Sequence, residues 1–380
     1  MTDFEKNLIA LIRTAIGDSV SAEVCFDDYS VVYDFASKQQ IIGMVFYGIK
    51  KLNIVLEESL MRRFWQSTVF LLQHSEKQLF EAARVLAEFR KHNIYAVPLK
   101  GLVLKKIYPT SDMRQMGDID IYIDKKRYKD IELLMTRIGY VSKNETEYEF
   151  VWSKNDVVVE LHSYLFDPKS EDAEEYTNAC AEDLYIKRAA EMSCENMYIY
   201  LFLHFVKHYK KRGAGIRFII DLYIYKKKFG DMDMEYVIHK LKELDLYDFY
   251  RNIETVIEVW FCGRMSDEKV DFITKKLFEG TVYGEDKNGY VANYNSEKNG
   301  KKFPRLRIMG RMIFPNFKTM KSKYKILEKC PVLFPAVVVY HWFFVLFCRR
   351  KSISNQMEIL RCMTDENAEK MFDDLKYVGL

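Results

Sequence analysis

The sequence predicts an α+β protein. It has a small mixed sheet with flanking helices, preceded by N-terminal helices and followed by a C-terminal, mostly helical domain. Three observations carry this. Short strand-like runs at residues 95–99, 119–123 and 156–165 lie close together and alternate with helical patterns. Long segments on either side repeat apolar residues at helical spacing. Hydrophobic residues make up 49% of the chain and charged residues 30%, the balance of a folded globular protein and not of a disordered one. A chain of 380 residues holds two or three compact units. The boundaries read as 1–74 for the N-terminal helical segment, 75–166 for the core, and 184–380 for the helical C-terminal domain.

Charge and cysteine usage exclude some classes. A net charge of +3 is near neutral, so no long nucleic acid is expected as a partner. The 7 cysteines are odd in number and scattered, with no Cys-x-x-Cys pair. They read as free thiols in a reducing compartment. The first residues, MTDFEKNLIALIRT, carry acids early and lack the apolar core of a signal peptide. The expected localisation is cytoplasmic.

In order along the chain, residues 1–56 read as short helices with a loop near 22–30. Residues 57–92 read as one long or broken helix. Phe70, Leu71, Leu79, Ala82, Ala83, Leu86 and Phe89 would form the stripe it packs on the sheet. A strand at 95–99 leads through a Lys-Gly turn into a helix at 102–108, ended by Pro109. The strand at 119–123 follows. Asp124 is placed to cap a helix over 125–138, with Gly139 at its C-terminus. Tyr128, Ile131, Leu134 and Ile138 would be its buried stripe. Residues 147–152 and 156–165 then read as a hairpin around 153–155.

The stretch PLKGLVLKKIYPTSDMRQMGDIDIYID at 98–124 concentrates the chemistry. Asp118 and Asp120 flank Ile119, so on a strand they share a face, while Ile119, Ile121 and Ile123 share the other. Two adjacent carboxylates repel unless a cation lies between them, and hard oxygen ligands suit Mg2+. The triplet alone is a weak signal in a chain with 55 acidic residues, and a solvated strand end would give the same pattern. Context strengthens it. Gly117 precedes the pair where a small residue lets a ligand approach the backbone. Lys100 and Gly101 open a helix, a place suited to phosphate. A third acid, Glu160, lies on the strand at 157–162, on the face that also carries Val158 and His162. His162 reads equally as a group that orients Glu160 or touches substrate and as a packed histidine.

LKG, then RQMGDIDIYI, then VELH resembles the bacterial uncharacterised nucleotidyltransferase family of the DNA polymerase beta-like superfamily. The likeness is close over about 75–165. It extends to the H…H…R…D pattern in LFLHFVKHYKKRGAGIRFIIDL. One departure is Lys100-Gly101 where the superfamily has Gly-Ser. The resemblance implies a small nucleotidyltransferase-type sheet and a Mg2+-dependent enzyme, with two ions and Mn2+ as an alternative. The implied reaction moves a nucleoside monophosphate from an NTP to an acceptor, releasing pyrophosphate. Asp118, Asp120 and Glu160 would be the metal-binding catalytic acids. Lys100, Gly101, Arg114 and Gly117 would serve the phosphates. The acceptor is open: a small molecule, a peptide, a protein or an RNA end. The other reading is a non-catalytic regulatory module that binds Mg-nucleotide or a partner, with membrane association through 331–348.

Beyond 184 the pattern is helical. His204 and His208, four apart, share a helix face as a zinc pair would, but no third ligand is evident, so a core or pocket role ranks ahead. Arg217 and Asp221 read either as an exposed ion pair or as a pocket wall. The stretch 280–304 reads as a linker or a lid over the nucleotide. PVLFPAVVVYHWFFVLFC at 331–348 is the strongest apolar run and reads as a short membrane span, an interfacial helix or a covered helix.

Overall fold

The structure, a computed structural model, describes residues 1–19, 23–146, 148–168, 170, 172–281, 288, 291, 294, 317, 320–321, 324, 326–348 and 361–380. It opens on three helices, α1 (Asp3–Ala15), α2 (Tyr29–Lys38) and α3 (Ile42–Lys51). Thr2 and Glu5 form a reciprocal capping box at the start of α1, and Asp28 caps α2 through the Ser30 N–H. Helix α3 lies against α1 at Gly48. A β-carbon there would stand 2.5 Å from the carbonyl oxygen of Leu11. Because that obstacle is backbone, Gly48→Ala is expected to lower stability by about 1–3 kcal/mol. The gain in helix propensity offsets part of this. Urea denaturation of the variant beside wild type would measure it.

Helix α4 (Glu58–Lys91) is a single rod of 34 residues, about 50 Å long. Its buried face differs from the expected stripe. Phe70 is 67% exposed and Ala83 is exposed, whereas Phe64, Thr68, Ser75, Gln78, Ala82, Val85 and Phe89 are buried. These positions recur at steps of three, four and seven, a true helical face that includes polar members. The expected stripe meets this face at Ala82 and Phe89, with Leu79 and Leu86 packed against the same core, and misses its polar members.

The sheet has five strands in the order β1-β2-β5-β4-β3: β1 (Ala96–Pro98), β2 (Ile119–Ile123), β3 (Val141–Glu145), β4 (Glu149–Lys154) and β5 (Val157–His162). Among the described residues, β2 and β5 pair in parallel and the other neighbours antiparallel. Strand β1 is shorter than the expected 95–99. Helix α5 (Lys100–Lys105) begins and ends earlier than 102–108. Helix α6 (Tyr128–Arg137) follows a short 3-10 turn at Lys125–Arg127. Asp124 caps that turn, and Gly139 adopts φ +88 just past the helix end.

The hairpin turns at Asn155 and Asp156, overlapping the expected 153–155 at Asn155. Both have positive φ, as a two-residue turn between twisted strands requires. Strand β3, VSKNE, was not anticipated. It is an edge strand exposed at every position, so no alternation marks it. One sheet face carries Ile119, Ile121, Ile123, Val157, Val159 and Leu161 into a core with Ala82, Val85 and Phe89 of α4 and Ile131, Leu134 and Met135 of α6. Each buried Val, Ile, Leu, Phe or Met side chain among them contributes about 1.5–3 kcal/mol. The opposite face carries the charged residues.

Helices α7 (Ala173–Cys180), α8 (Glu182–Tyr185), α9 (Cys194–Lys211), α10 (Arg217–Lys228), α11 (Met234–Glu243), α12 (Tyr247–Ile257) and α13 (Glu268–Glu279) follow. A π turn at Glu258–Cys262 extends α12 and ends at Gly263 in the left-handed region. The described residues divide into two units. One comprises Met1–Lys207, Ala214–Val282 and Gly379; the other comprises His208–Gly213, Tyr283–Val378 and Leu380. The second includes α14 (Ile326–Lys329), α15 (Phe334–Cys348) and α16 (Asp365–Val378).

The apolar run at 331–348 forms a 3-10 turn at Pro331–Leu333 and then α15, which has 15 residues. That is about 22 Å of helix against roughly 30 Å of hydrocarbon. Among the described residues no helix is long and apolar enough to cross a membrane. His341 of α15 shares a 2.8 Å hydrogen bond with the Tyr324 hydroxyl. Apart from its first two residues and a few isolated positions, the 280–304 stretch lies outside the described residues.

Candidate active site

Strand β2 alternates. Its isoleucines point into the core, so Asp120 and Tyr122 point to the other face, continuing the side begun by Asp118. The parallel ladder sets Asp120 opposite Glu160 and Tyr122 opposite His162. Partners in a ladder share a face, so two buried or half-buried carboxylates and an imidazole come together from segments 40 residues apart in number. The ligating atoms of Asp120, Glu160 and His162 all lie within 4.8 Å of one another. His162 Nε2 stands 2.8 Å from Asp120 Oδ1 and 3.7 Å from Glu160 Oε2.

Lys100 enters from the start of α5. Its φ of +29 is unusual for a residue with a side chain. Its Nζ lies 3.5 Å from Asp120 Oδ1 and 5.8 Å from the centre of the Tyr200 ring of α9. Lys100 thus sets a positive charge beside the clustered acids, and His162 adds a ring nitrogen within hydrogen-bond reach of Asp120.

The electrostatics separate the three carboxyls. Burial alone would raise Asp120, but Lys100 and His162 hold it well below the usual carboxylate range. Asp118 is raised by burial and by the charge of Asp120. Glu160 is pushed up to about 7 by burial, then by Asp118 and Asp120. For Lys100 burial works against the charged form, yet Asp120, Tyr200 and Asp118 raise it above its ordinary value. A cluster in which one acid is firmly ionised and two resist ionisation is set up to accept further positive charge. The donor set fits a divalent ion: the carboxylate oxygens suit Mg2+ and Mn2+, and an imidazole nitrogen stands within the same group.

The remaining residues singled out in the sequence fall in different places. Gly117 is exposed, and a β-carbon there would meet nothing within 4 Å. Gly101 is buried, with Met116 Sδ 2.5 Å from where a β-carbon would stand, so its smallness serves packing of the loop. Arg114 is buried; its Nε and Nη2 donate to the two oxygens of Asp221 at 3.2 and 3.0 Å. Arg217 and Asp221 are 3% and 5% exposed, so they are not the surface ion pair that helical spacing allowed. His204 sits on α9 with its ring 5.9 Å from that of Phe218. Among the described residues one group of three or more ligating side chains converges, and it does not include His204 or His208.

Sequence reasoning missed Tyr200, which no motif announces, and Tyr122, which the period of two from Asp120 would have given. Tyr122 packs its ring 5.3 Å from that of Tyr185 and 6.1 Å from that of Tyr95.

Residues 27–262, well over half of the chain, match the profile of the uncharacterised nucleotidyltransferase family, and the chain belongs to that family. It is accordingly a nucleotidyltransferase. No curated protein matches it. Two solved structures of the antibiotic-resistance factor ANT(2'')-Ia are similar to it in part. The solution structure is 15% identical and covers 49% of this chain and 97% of that one, with a TM-score of 0.33. The crystal structure in complex with adenylyl-2''-tobramycin is 16% identical and covers 48% and 97%, with a TM-score of 0.26. Likeness at this level carries over no substrate.

Proposed function

We propose that this nucleotidyltransferase moves a nucleoside monophosphate group from an NTP to an acceptor, with release of pyrophosphate. The observation that supports this most is the ladder position that seats Glu160 beside Asp120 on the face of Asp118, with Lys100 and His162 around them. Asp118, Asp120 and Glu160 would hold the divalent ions, Mg2+ or Mn2+, which when bound neutralise charge on the transferring phosphoryl group.

The acceptor oxygen attacks the α-phosphorus, the bond from that phosphorus to the oxygen bridging to the β-phosphate breaks, and pyrophosphate departs. Lys100, 3.5 Å from Asp120, binds phosphate oxygens of the β and γ groups. Glu160, as the acid nearer the acceptor, helps take the acceptor's proton. Gly117 leaves room for the triphosphate against the backbone that leads to Asp118.

The test is to incubate the full chain with each of the four NTPs and a panel of sugars, peptides, proteins and RNA ends. Pyrophosphate is followed with Mg2+ or Mn2+ present and after EDTA. Acceptor-dependent pyrophosphate release that EDTA stops is expected. Release that persists undiminished in EDTA would refute the metal-dependent reading. NTP bound with no release across the whole panel would favour the regulatory module.

A further inference from the structure

The loop that delivers the aspartates is held from beneath by buried polar groups. We infer that Arg114, Asp221 and Tyr108 form a buried clamp that positions Asp118 and Asp120 for metal, so that α10 and not the small sheet alone sets the geometry of the acids. This rests on the proposed function, since it assumes that those acids bind an ion.

Arg114 lies four residues before Asp118. Its guanidinium grips Asp221 of α10 with two parallel hydrogen bonds, at 3.2 and 3.0 Å, and its Nη1 donates to the Gln115 carbonyl at 3.0 Å. The Tyr108 hydroxyl donates to the same Asp221 carboxylate at 2.6 Å. All three side chains are buried: Arg114 is 8% exposed, and Tyr108 and Asp221 are 5% exposed each. A fork-to-carboxylate pair fixes direction as well as distance.

The next two carbonyls are also tied. Arg217 Nη1 donates to the Gln115 carbonyl at 3.1 Å and to the Gln40 side chain, and Gln78 of α4 donates to the Met116 carbonyl at 2.8 Å. The backbone at 114–116 is thus fastened by α10 and α4 directly before the strand that carries the acids. An arginine used in this way acts on the metal site through the chain; the phosphate contact that the sequence suggested for it is replaced by a structural one.

Mn2+ binding followed by EPR gives a readout independent of turnover. The measurements are the Mn2+ dissociation constant and the melting temperature of wild type, Asp221→Asn, Tyr108→Phe and the paired Arg114→Met/Asp221→Leu. The expected result is Mn2+ affinity weakened about tenfold or more in Asp221→Asn and about twofold to threefold in Tyr108→Phe. The paired apolar variant should regain melting temperature relative to Asp221→Asn without regaining affinity.

Wild-type Mn2+ affinity in folded Asp221→Asn would overturn the clamp. Should that variant not fold, unchanged affinity in Tyr108→Phe would overturn it equally. A wild-type protein that binds no Mn2+ removes the proposed function along with the clamp, whereas wild-type binding with indifferent variants removes the clamp alone.

Discussion

An Asp118→Asn protein is expected to lose nucleotidyl transfer by about a thousandfold or more, yet to melt in EDTA no lower than wild type. The two halves of this result have one cause. The Asp118 carboxyl is raised by burial and by Asp120, so its charge is unwelcome in the metal-free fold. A group raised in this way adds stability while protonated and loses it as pH climbs through its folded pKa. At neutral pH a neutral amide relieves the repulsion, and the same change removes an anionic ligand that the reaction needs. Asp120→Asn should abolish transfer equally but melt lower, because Asp120 is the acid that Lys100 and His162 hold in its ionised form. Removing it leaves the part-buried Lys100 ammonium without its carboxylate. Pyrophosphate release and melting temperature on the three proteins decide this. Turnover of Asp118→Asn within tenfold of wild type would count against the site, as would unchanged turnover in the Asp118→Asn/Asp120→Asn double variant.

The contrast between these two neighbours was not legible in the sequence, which presented them as an equivalent pair. What was legible followed from periodicity. The period of two put Asp118 and Asp120 opposite the isoleucines, and β2 spans 119–123 as read. The same rule on 157–162 put Glu160 and His162 on one face. It could not say that β5 runs parallel to β2, the fact that brings those faces together, because strand pairing is settled by the crossover and not by either strand. Buried polar residues were the systematic loss. Ser75 and Gln78 interrupt the apolar pattern of α4 and so were left out of its packed face, yet they meet Lys105 and the Met116 carbonyl there. Arg114, Arg217 and Asp221 were read as solvent-facing or ligand-facing charges because a charged residue is rarely fully buried without a partner, and the partner of Arg114 lies 107 positions away. Strand β3 escaped for the opposite reason, since an exposed edge has no pattern to read.

Glu160→Gln is expected to cut turnover by about a hundredfold to a thousandfold and to reverse sign in stability between metal-free and metal-loaded protein. In the metal-free fold burial and the neighbouring aspartates push the Glu160 carboxyl up to about 7, above an unfolded value near 4.5. The folded state therefore binds this proton more tightly than the unfolded chain. The resulting stabilisation is complete below pH 4.5 and is lost as pH rises to about 7 and beyond. Glutamine imitates the protonated acid at every pH. In EDTA the two proteins should melt alike near pH 5, and the variant should be the more stable at pH 8, by about 1–3 kcal/mol. Asp120 does not cancel the trend in that window, because a depressed carboxyl loses its contribution only at more acidic pH. Saturating Mn2+ should invert the order at pH 8, since wild type gains RT ln(1 + [Mn2+]/Kd) and the variant, short one anionic ligand, gains less. Protons and metal then compete for the same oxygens, so the wild-type Mn2+ affinity should fall as pH drops from 8 to 5, while that of Glu160→Gln should change less. Melting curves at pH 5 and 8, with and without Mn2+, would expose the inversion, and parallel curves for the two proteins under all four conditions would place Glu160 outside the metal centre.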